Sequence, residues 1–432
     1  MTAEVAILNK TAVALAADSA VTIKSGDGVK IYNTLKLFNL CRSSSVGIMV
    51  YNNAEFTSVP WETIIKQYRK QLNTATFPTL EEYAEDFIAY LSQNRSVFSE
   101  DLQKQSVGHT VHNYYYEIVS MIDAKITAAT RNDRIGASTI RRITRQVIND
   151  WHDKLQKQPF WQSITPGLDQ RILQTYNAEL NNVIDRVFQP LPLSPVLKKR
   201  LRTIAAWLLT KDLLPLEWLP QLYSGLVIAG FGENDIYPAV TTFNIESLVL
   251  NELRYVKIGE KSTRITPTMS STVVAFAQED VVAGFMEGID RKFHTTILLL
   301  LFDMFNDYAE EIAKHIPGLR GNNKKRFVST LKSVSTQLIT SVNNSILAYK
   351  WKRHIEPIVD AVAVLPKEEL ASMASALVSL TSTKRRVTMD LETVGGPIDV
   401  AVISKGDGFI WVNRKHYFEP DKNPQFFSRF HG

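Results

Sequence analysis

MTAEVAILNKTAVALAADSAVTI, residues 1–23, is the stretch on which the reading of this chain turns. Two runs of strand formers, 4–8 and 11–18, flank Asn9 and Lys10, a two-residue spacing that suits a tight hairpin. The second run, TAVALAAD, is almost continuously apolar. A strand wetted on one face would alternate. This one is expected to be covered on both faces, as in a sheet held between layers.

Working outward, a polar loop at 25–30 (SGDGVK) leads to strand candidates at 36–40 and 46–51. From about residue 54 the pattern changes. Pro60-Trp61-Glu62 has the chemistry of a helix start, and the segments 79–93, 137–156 and 168–188 place apolar groups at three- and four-residue spacing. Strand character returns at 224–231, 237–243, 254–259 and 272–276, followed by helical spacing at 279–289 and through most of 291–356. A helix at 367–380 precedes strands at 398–404 and 409–415, joined by the turn Lys405-Gly406-Asp407-Gly408. Runs of strands and runs of helices in this order favour an α+β layered domain over an alternating parallel sheet. The expected core is discontinuous, made of 1–56, 222–290 and 357–418. Residues 57–221 and 291–356 read as helical insertions, and 419–432 as a tail.

Composition narrows the function. With 45% hydrophobic and 22% charged residues among 432, the chain can bury a large core, which excludes global disorder. A single cysteine, Cys41, excludes a disulfide scaffold and a cysteine-cluster metal site, and fits a reducing cytosol. The apolar run 295–302 is too short to span a bilayer, and the first residues lack a signal-peptide pattern. A cytoplasmic protein without a membrane partner is expected. The net charge of +5 comes partly from short clusters at 198–202, 320–326 and 384–386, which read as solvated helix ends. No zinc-finger spacing accompanies them, so nucleic acid is disfavoured as a partner. His109 and His112 lack a third ligand nearby, and the two Gly-Asp-Gly triplets read as turns. Neither a metal nor an organic cofactor is expected.

Thr2 carries the clearest chemistry. A small second residue favours removal of Met1, which would leave a hydroxyl nucleophile and an α-amine of pKa about 7.7 on one residue. Such an amine can take the hydroxyl proton at neutral pH.

These features together resemble a proteasome β subunit, whose mature chain opens with threonine, forms a hairpin and ends its second strand in Ala-Ala-Asp. Thr2 and Asp18 stand 16 residues apart, as in that family. The strand 36–40 (KLFNL) is similar to the one bearing the family's lysine. LVIAGFGENDIYPAVTTFNI resembles its next hairpin, and the segment from LPKEELASMASALVSL through TVGGPIDVAVISKGDGFIWV resembles its last helix and closing strands.

The resemblance implies an N-terminal-nucleophile hydrolase fold, a four-layer αββα sandwich. It also implies a bacterial-type threonine hydrolase that cleaves amide bonds in a peptide or protein substrate. Thr2 would attack, Lys36 would act electrostatically, Asp18 would pair with Lys36, and Asp390 with Thr393 would support the Thr2 amine. Where the family has an oxyanion-hole glycine, this chain has Tyr51-Asn52-Asn53-Ala54, so the Asn52 backbone N–H would donate. Where the family has a serine, Ala277-Gln278-Glu279 stands. Two alternatives stay open: an inactive scaffold that binds a protein partner or forms a homo-oligomer through its helical insertions, and a nucleic-acid-associated module using the basic helices.

Overall fold

The computed structural model describes residues 2–25, 28–41, 44–130, 136–216, 218–388, 395–416 and 418–425. The fold is α+β, with antiparallel sheets and long helices, and the chain divides into two compact units. One comprises Met1–Thr34 and Arg264–Gly432, the other Leu35–Thr263. The expected insertion 57–221 lies wholly in the second unit, and 291–356 lies wholly in the first.

In the first unit, five antiparallel strands run in the spatial order Ser271–Ala277, Ala3–Asn9, Ala12–Asp18, Ile398–Ser404, Gly408–Asn413. The opening hairpin pairs Leu8 with Val13 and Glu4 with Ala17. Asn9 closes it. Its Oδ1 accepts from the Thr11 and Ala12 N–H groups at 2.9 and 3.2 Å, and its Nδ2 donates to the Val362 and Leu365 carbonyls at 3.1 and 2.9 Å. Every residue of both hairpin strands is buried, as the unbroken apolar run requires. Ala12, Ala14 and Ala16 share a cluster with Leu370, Ala374, Leu377 and Val378 of the helix Lys367–Val387. Alanines at these positions let that helix approach the sheet closely.

Residues 25 and 28–30 belong to strands rather than to the expected loop, whose residues 26 and 27 lie outside the described residues. Ala20–Ser25 pairs antiparallel with Gly28–Asn33, from Ala20 opposite Asn33 to Ser25 opposite Gly28. The sequence V-x-I on each side of the Gly-Asp-Gly triplet already has the two-residue period of a hairpin. Two long helices, Arg291–His315 and Gly321–Lys350, also belong to this unit. A five-residue π-helical segment, Trp351–Ile355, joins the second to Glu356–Val364.

In the second unit the main sheet runs Glu252–Lys257, Ala239–Val249, Ser224–Gly230, Val46–Asn52, Leu37–Asn39, each pair antiparallel. Gly225 is obligatory there, because a Cβ on it would sit 1.9 Å from the Tyr51 ring. The helices Trp61–Leu72 and Leu80–Gln93 cover this sheet through Trp61, Ile64, Tyr68, Tyr83 and Phe87. A separate helical core gathers Glu100–Ala129, Ala137–Gln156, Asn177–Val187 and Pro195–Leu208 around Tyr115, Trp151, Ile184 and Leu201. Among the described residues no helix is long and apolar enough to cross a membrane.

Candidate active site

Thr2 is buried, 4% exposed, at the head of the first strand. Two edges hold it. On one side Ala3 pairs with Ala277, and the next N–H, that of Gln278, donates to the Thr2 carbonyl at 3.3 Å. Ala277 lies at φ +61°, the left-handed region that non-glycine residues rarely enter. On the other side Asp18 ends the second strand. Its Oδ1 accepts the Ala3 N–H and its Oδ2 the Gly395 N–H, both at 3.0 Å. One carboxylate thus ties the residue after Thr2 to the segment entering the fourth strand of the sheet, Ile398–Ser404. Charge-assisted bonds to backbone N–H groups are among the stronger ones available.

The Gly395-Gly396 pair completes this corner. Ala20 N–H donates to the Gly395 carbonyl at 3.1 Å, and Ser19 Oγ donates to the Pro397 carbonyl at 2.6 Å. Gly396 lies at φ +77°, and a Cβ there would come within 2.6 Å of Asn33 Oδ1. Only glycine fits without displacement.

A further layer was not legible in the sequence. The Gln278 Oε1 accepts from Arg385 Nε at 2.5 Å, and Arg385 Nη2 pairs with Asp280 Oδ1 at 2.8 Å. The Lys384 ammonium lies 3.6 Å from the same aspartate. The basic cluster 384–386 is therefore not simply a solvated helix end, since Arg385 is largely buried and paired. Its position at the helix C-terminus gave the only sequence signal, and that signal pointed to solvent.

The other expected residues distribute as follows. Lys36 is buried in the second unit, just before Leu37–Asn39, and its carbonyl accepts the Val50 N–H at 2.9 Å. Asn52 ends a strand of the same unit at φ +68°, a conformation asparagine tolerates better than most residues. Met1, Asp390 and Thr393 lie outside the described residues. His109 and His112 fall within the helix Glu100–Ala129. Among the described residues no group of three acidic, histidine or cysteine side chains is placed to hold a metal ion.

Nearby, Asp399 accepts the Lys415 N–H at 2.8 Å, yet burial raises its carboxyl above the usual range. Burial, aided by the Arg414 charge, pushes the His416 imidazole down. Backbone bonds thus hold Thr2 at this corner from two sides.

No family model and no curated protein matches the chain. Among solved structures, a helical assembly of the Anbu complex from Pseudomonas aeruginosa aligns at TM-score 0.31 and 8% identity over 99% of this chain and 94% of its own. An Anbu (Gly-1) mutant from Hyphomicrobium sp. strain MC1 aligns at 0.27 and 10%, over 99% and 97%. Anbu, described as an ancestral beta-subunit, from Yersinia bercovieri aligns at 0.26 and 9%, over 100% and 92%. Likenesses this weak carry no argument. With no family model and no curated relative behind it, the expected membership of the proteasome β-subunit-like N-terminal-nucleophile hydrolase superfamily does not hold. The physical reason lies in what the motifs record. A tight hairpin, a doubly buried alanine strand and a Gly-Gly at positive φ are local constraints that unrelated antiparallel sheets can share.

Proposed function

We propose that the chain is a threonine hydrolase of amide bonds, with Thr2 as nucleophile once Met1 is removed. The reading is supported above all by one observation. The backbone of Thr2 is held from two directions, by the Gln278 N–H on its carbonyl and by Asp18 through the next residue. A nucleophile fixed in this way has already lost the orientational freedom that limits an unheld one.

In the proposed reaction the Thr2 hydroxyl oxygen attacks the substrate carbonyl carbon while its proton passes to the free α-amine. The departing substrate amine takes that proton as the C–N bond breaks, leaving an ester on Thr2. Water then hydrolyses the ester, with the α-amine again as base. Asp18 is assigned the positioning of Thr2. Lys36 is assigned an electrostatic role, Asn52 a backbone donor's role, and Asp390 with Thr393 support of the amine.

Intact mass of the natively produced protein should show Met1 removed, and a threonine-directed electrophile such as a β-lactone should add one label at Thr2. Thr2→Ala should abolish the label without changing the melting temperature, while Thr2→Ser should keep part of it. Retention of Met1 sinks the proposal, and so does labelling that survives Thr2→Ala. A Lys36→Met variant that folds and labels at the wild-type rate would remove Lys36 from the scheme alone.

A further inference from the structure

The helices Arg291–His315 and Gly321–Lys350 take no part in the corner around Thr2. They form an antiparallel hairpin. Lys332 pairs with Glu310 at 2.6 Å near the connection, and at the open end Lys350 meets Glu287, four residues before the first helix begins. The seam these two helices bury carries His294, Ala309 and Ala313 on one and Ser335 and Lys350 on the other.

Beside this seam each helix bears a second apolar stripe. On the first it is Phe293, Ile297, Leu300, Met304 and Tyr308; on the second it is Phe327, Leu331, Val334, Leu338, Val342 and Tyr349. The intervals are mainly four and three, the spacing of a helix–helix packing seam. At 3.6 residues per turn, the stripes lie roughly 130° and roughly 90° round from the seam on the first and second helix, in the same rotational sense. For antiparallel helices that places both stripes on one face of the hairpin. Phe293, Leu300, Met304, Tyr308, Val334, Leu338, Val342 and Tyr349 are 40–63% exposed there.

Size and charge indicate what covers this face. A large side chain presents about 150–250 Å² when fully exposed, so these eight offer on the order of 800 Å² of apolar surface. That matches the ~800 Å² each partner contributes to an interface of standard size. Neither stripe contains a charged residue. Its borders are Asp307 and Glu311 on the first helix and Thr330, Gln337, Ser341 and, one turn before Phe327, the single lysine Lys324 on the second. A helix that lies on an anionic membrane carries lysine and arginine along that border instead. A charge-free centre rich in aromatic residues and methionine is typical of the middle of a protein interface.

We propose that this face packs against the same face of a second copy of the chain, giving a two-fold packing of four helices. The proposal is independent of the chemistry at Thr2.

Light-scattering mass of the full chain tests it. At ~10 μM, the weak end of what interfaces of this size reach, the wild type should have twice the 48.8 kDa chain mass. Leu300→Lys/Leu338→Lys should halve that mass. Leu299→Lys, equally exposed on the same helix but off the stripe, should leave it unchanged. All three positions face solvent in the single chain, so the melting temperature should stay within a few degrees. A larger wild-type assembly agrees with the proposal only if the double variant at least halves it. A monomeric wild type overturns it, as does an assembly indifferent to the double variant. A monomer that floats with phosphatidylglycerol vesicles, and loses this in the double variant, overturns it in favour of lipid.

Discussion

Around Thr2 single atoms decide the geometry. Asp18 bonds through both of its oxygens, and Gln278 links the Thr2 carbonyl to Arg385. Arg385→Leu removes the bonds to Gln278 and Asp280 while leaving Thr2 untouched. On the proposed function, the rate of electrophile labelling at Thr2 should fall about tenfold, because small misplacements of a nucleophile are costly. Gln278 would be left short of a charged donor and Asp280 would keep only Lys384, so the variant should also lose roughly 1–2 kcal/mol of stability. A variant that is less stable yet labels at the wild-type rate would make Arg385 merely structural. Thr2 was singled out beforehand by its place after Met1, and Asp18 only through the family resemblance. Arg385 was not, since it stands 107 residues from Gln278 and no local period links them.

The helical hairpin shows the same division among elements. That 291–356 is mostly helical was plain from its periodicity, but its division into two helices and the way they are anchored were not. Glu287 takes Arg291 Nε at 2.6 Å and also bonds Lys350, which is itself buried. Burial alone would raise the Glu287 carboxyl, but the bonds from Lys350 and Arg291 outweigh it and hold the group below its ordinary value of 4.5. The folded pKa is thus the lower one, so Glu287 contributes stability above the unfolded value. That contribution is lost as pH falls through the folded pKa. Glu287→Gln should lower the thermal midpoint at neutral pH by the equivalent of about 2 kcal/mol. The gap from wild type should close as the solution is acidified below 4.5. A gap that is constant with pH would mean that the ion pairs contribute nothing.

At the scale of the whole molecule, the second unit is stitched by a buried pair. Arg254, 1% exposed, lies 2.5 Å from Glu246, bonds Ser247 Oγ at 2.8 Å and reaches the Leu208 carbonyl at 3.3 Å. Sheet and helical core are joined there. Burial nevertheless raises the Glu246 carboxyl, with the Arg254 charge offsetting only part of the cost. Arg254→Ala should therefore cost about 3–5 kcal/mol, read as a shift in urea midpoint, because it strands a buried acid. Arg254→Met/Glu246→Leu should recover most of that loss. A double variant no better than the single would show that the pair itself, not the stranded charge, carries the stability. The sequence alone determined most of the strands and helices, though not the hairpin of Ala20–Ser25 with Gly28–Asn33, and that Ala12–Asp18 is buried on both faces. Such properties follow from side-chain spacing within a few residues. It could not determine the division at 34/35 and 263/264, the bond from Asp18 to Gly395 across 377 residues, or which face of the helical hairpin stays bare. Those depend on which surfaces meet after the chain has folded, and residues far apart in sequence carry no local period that announces their meeting.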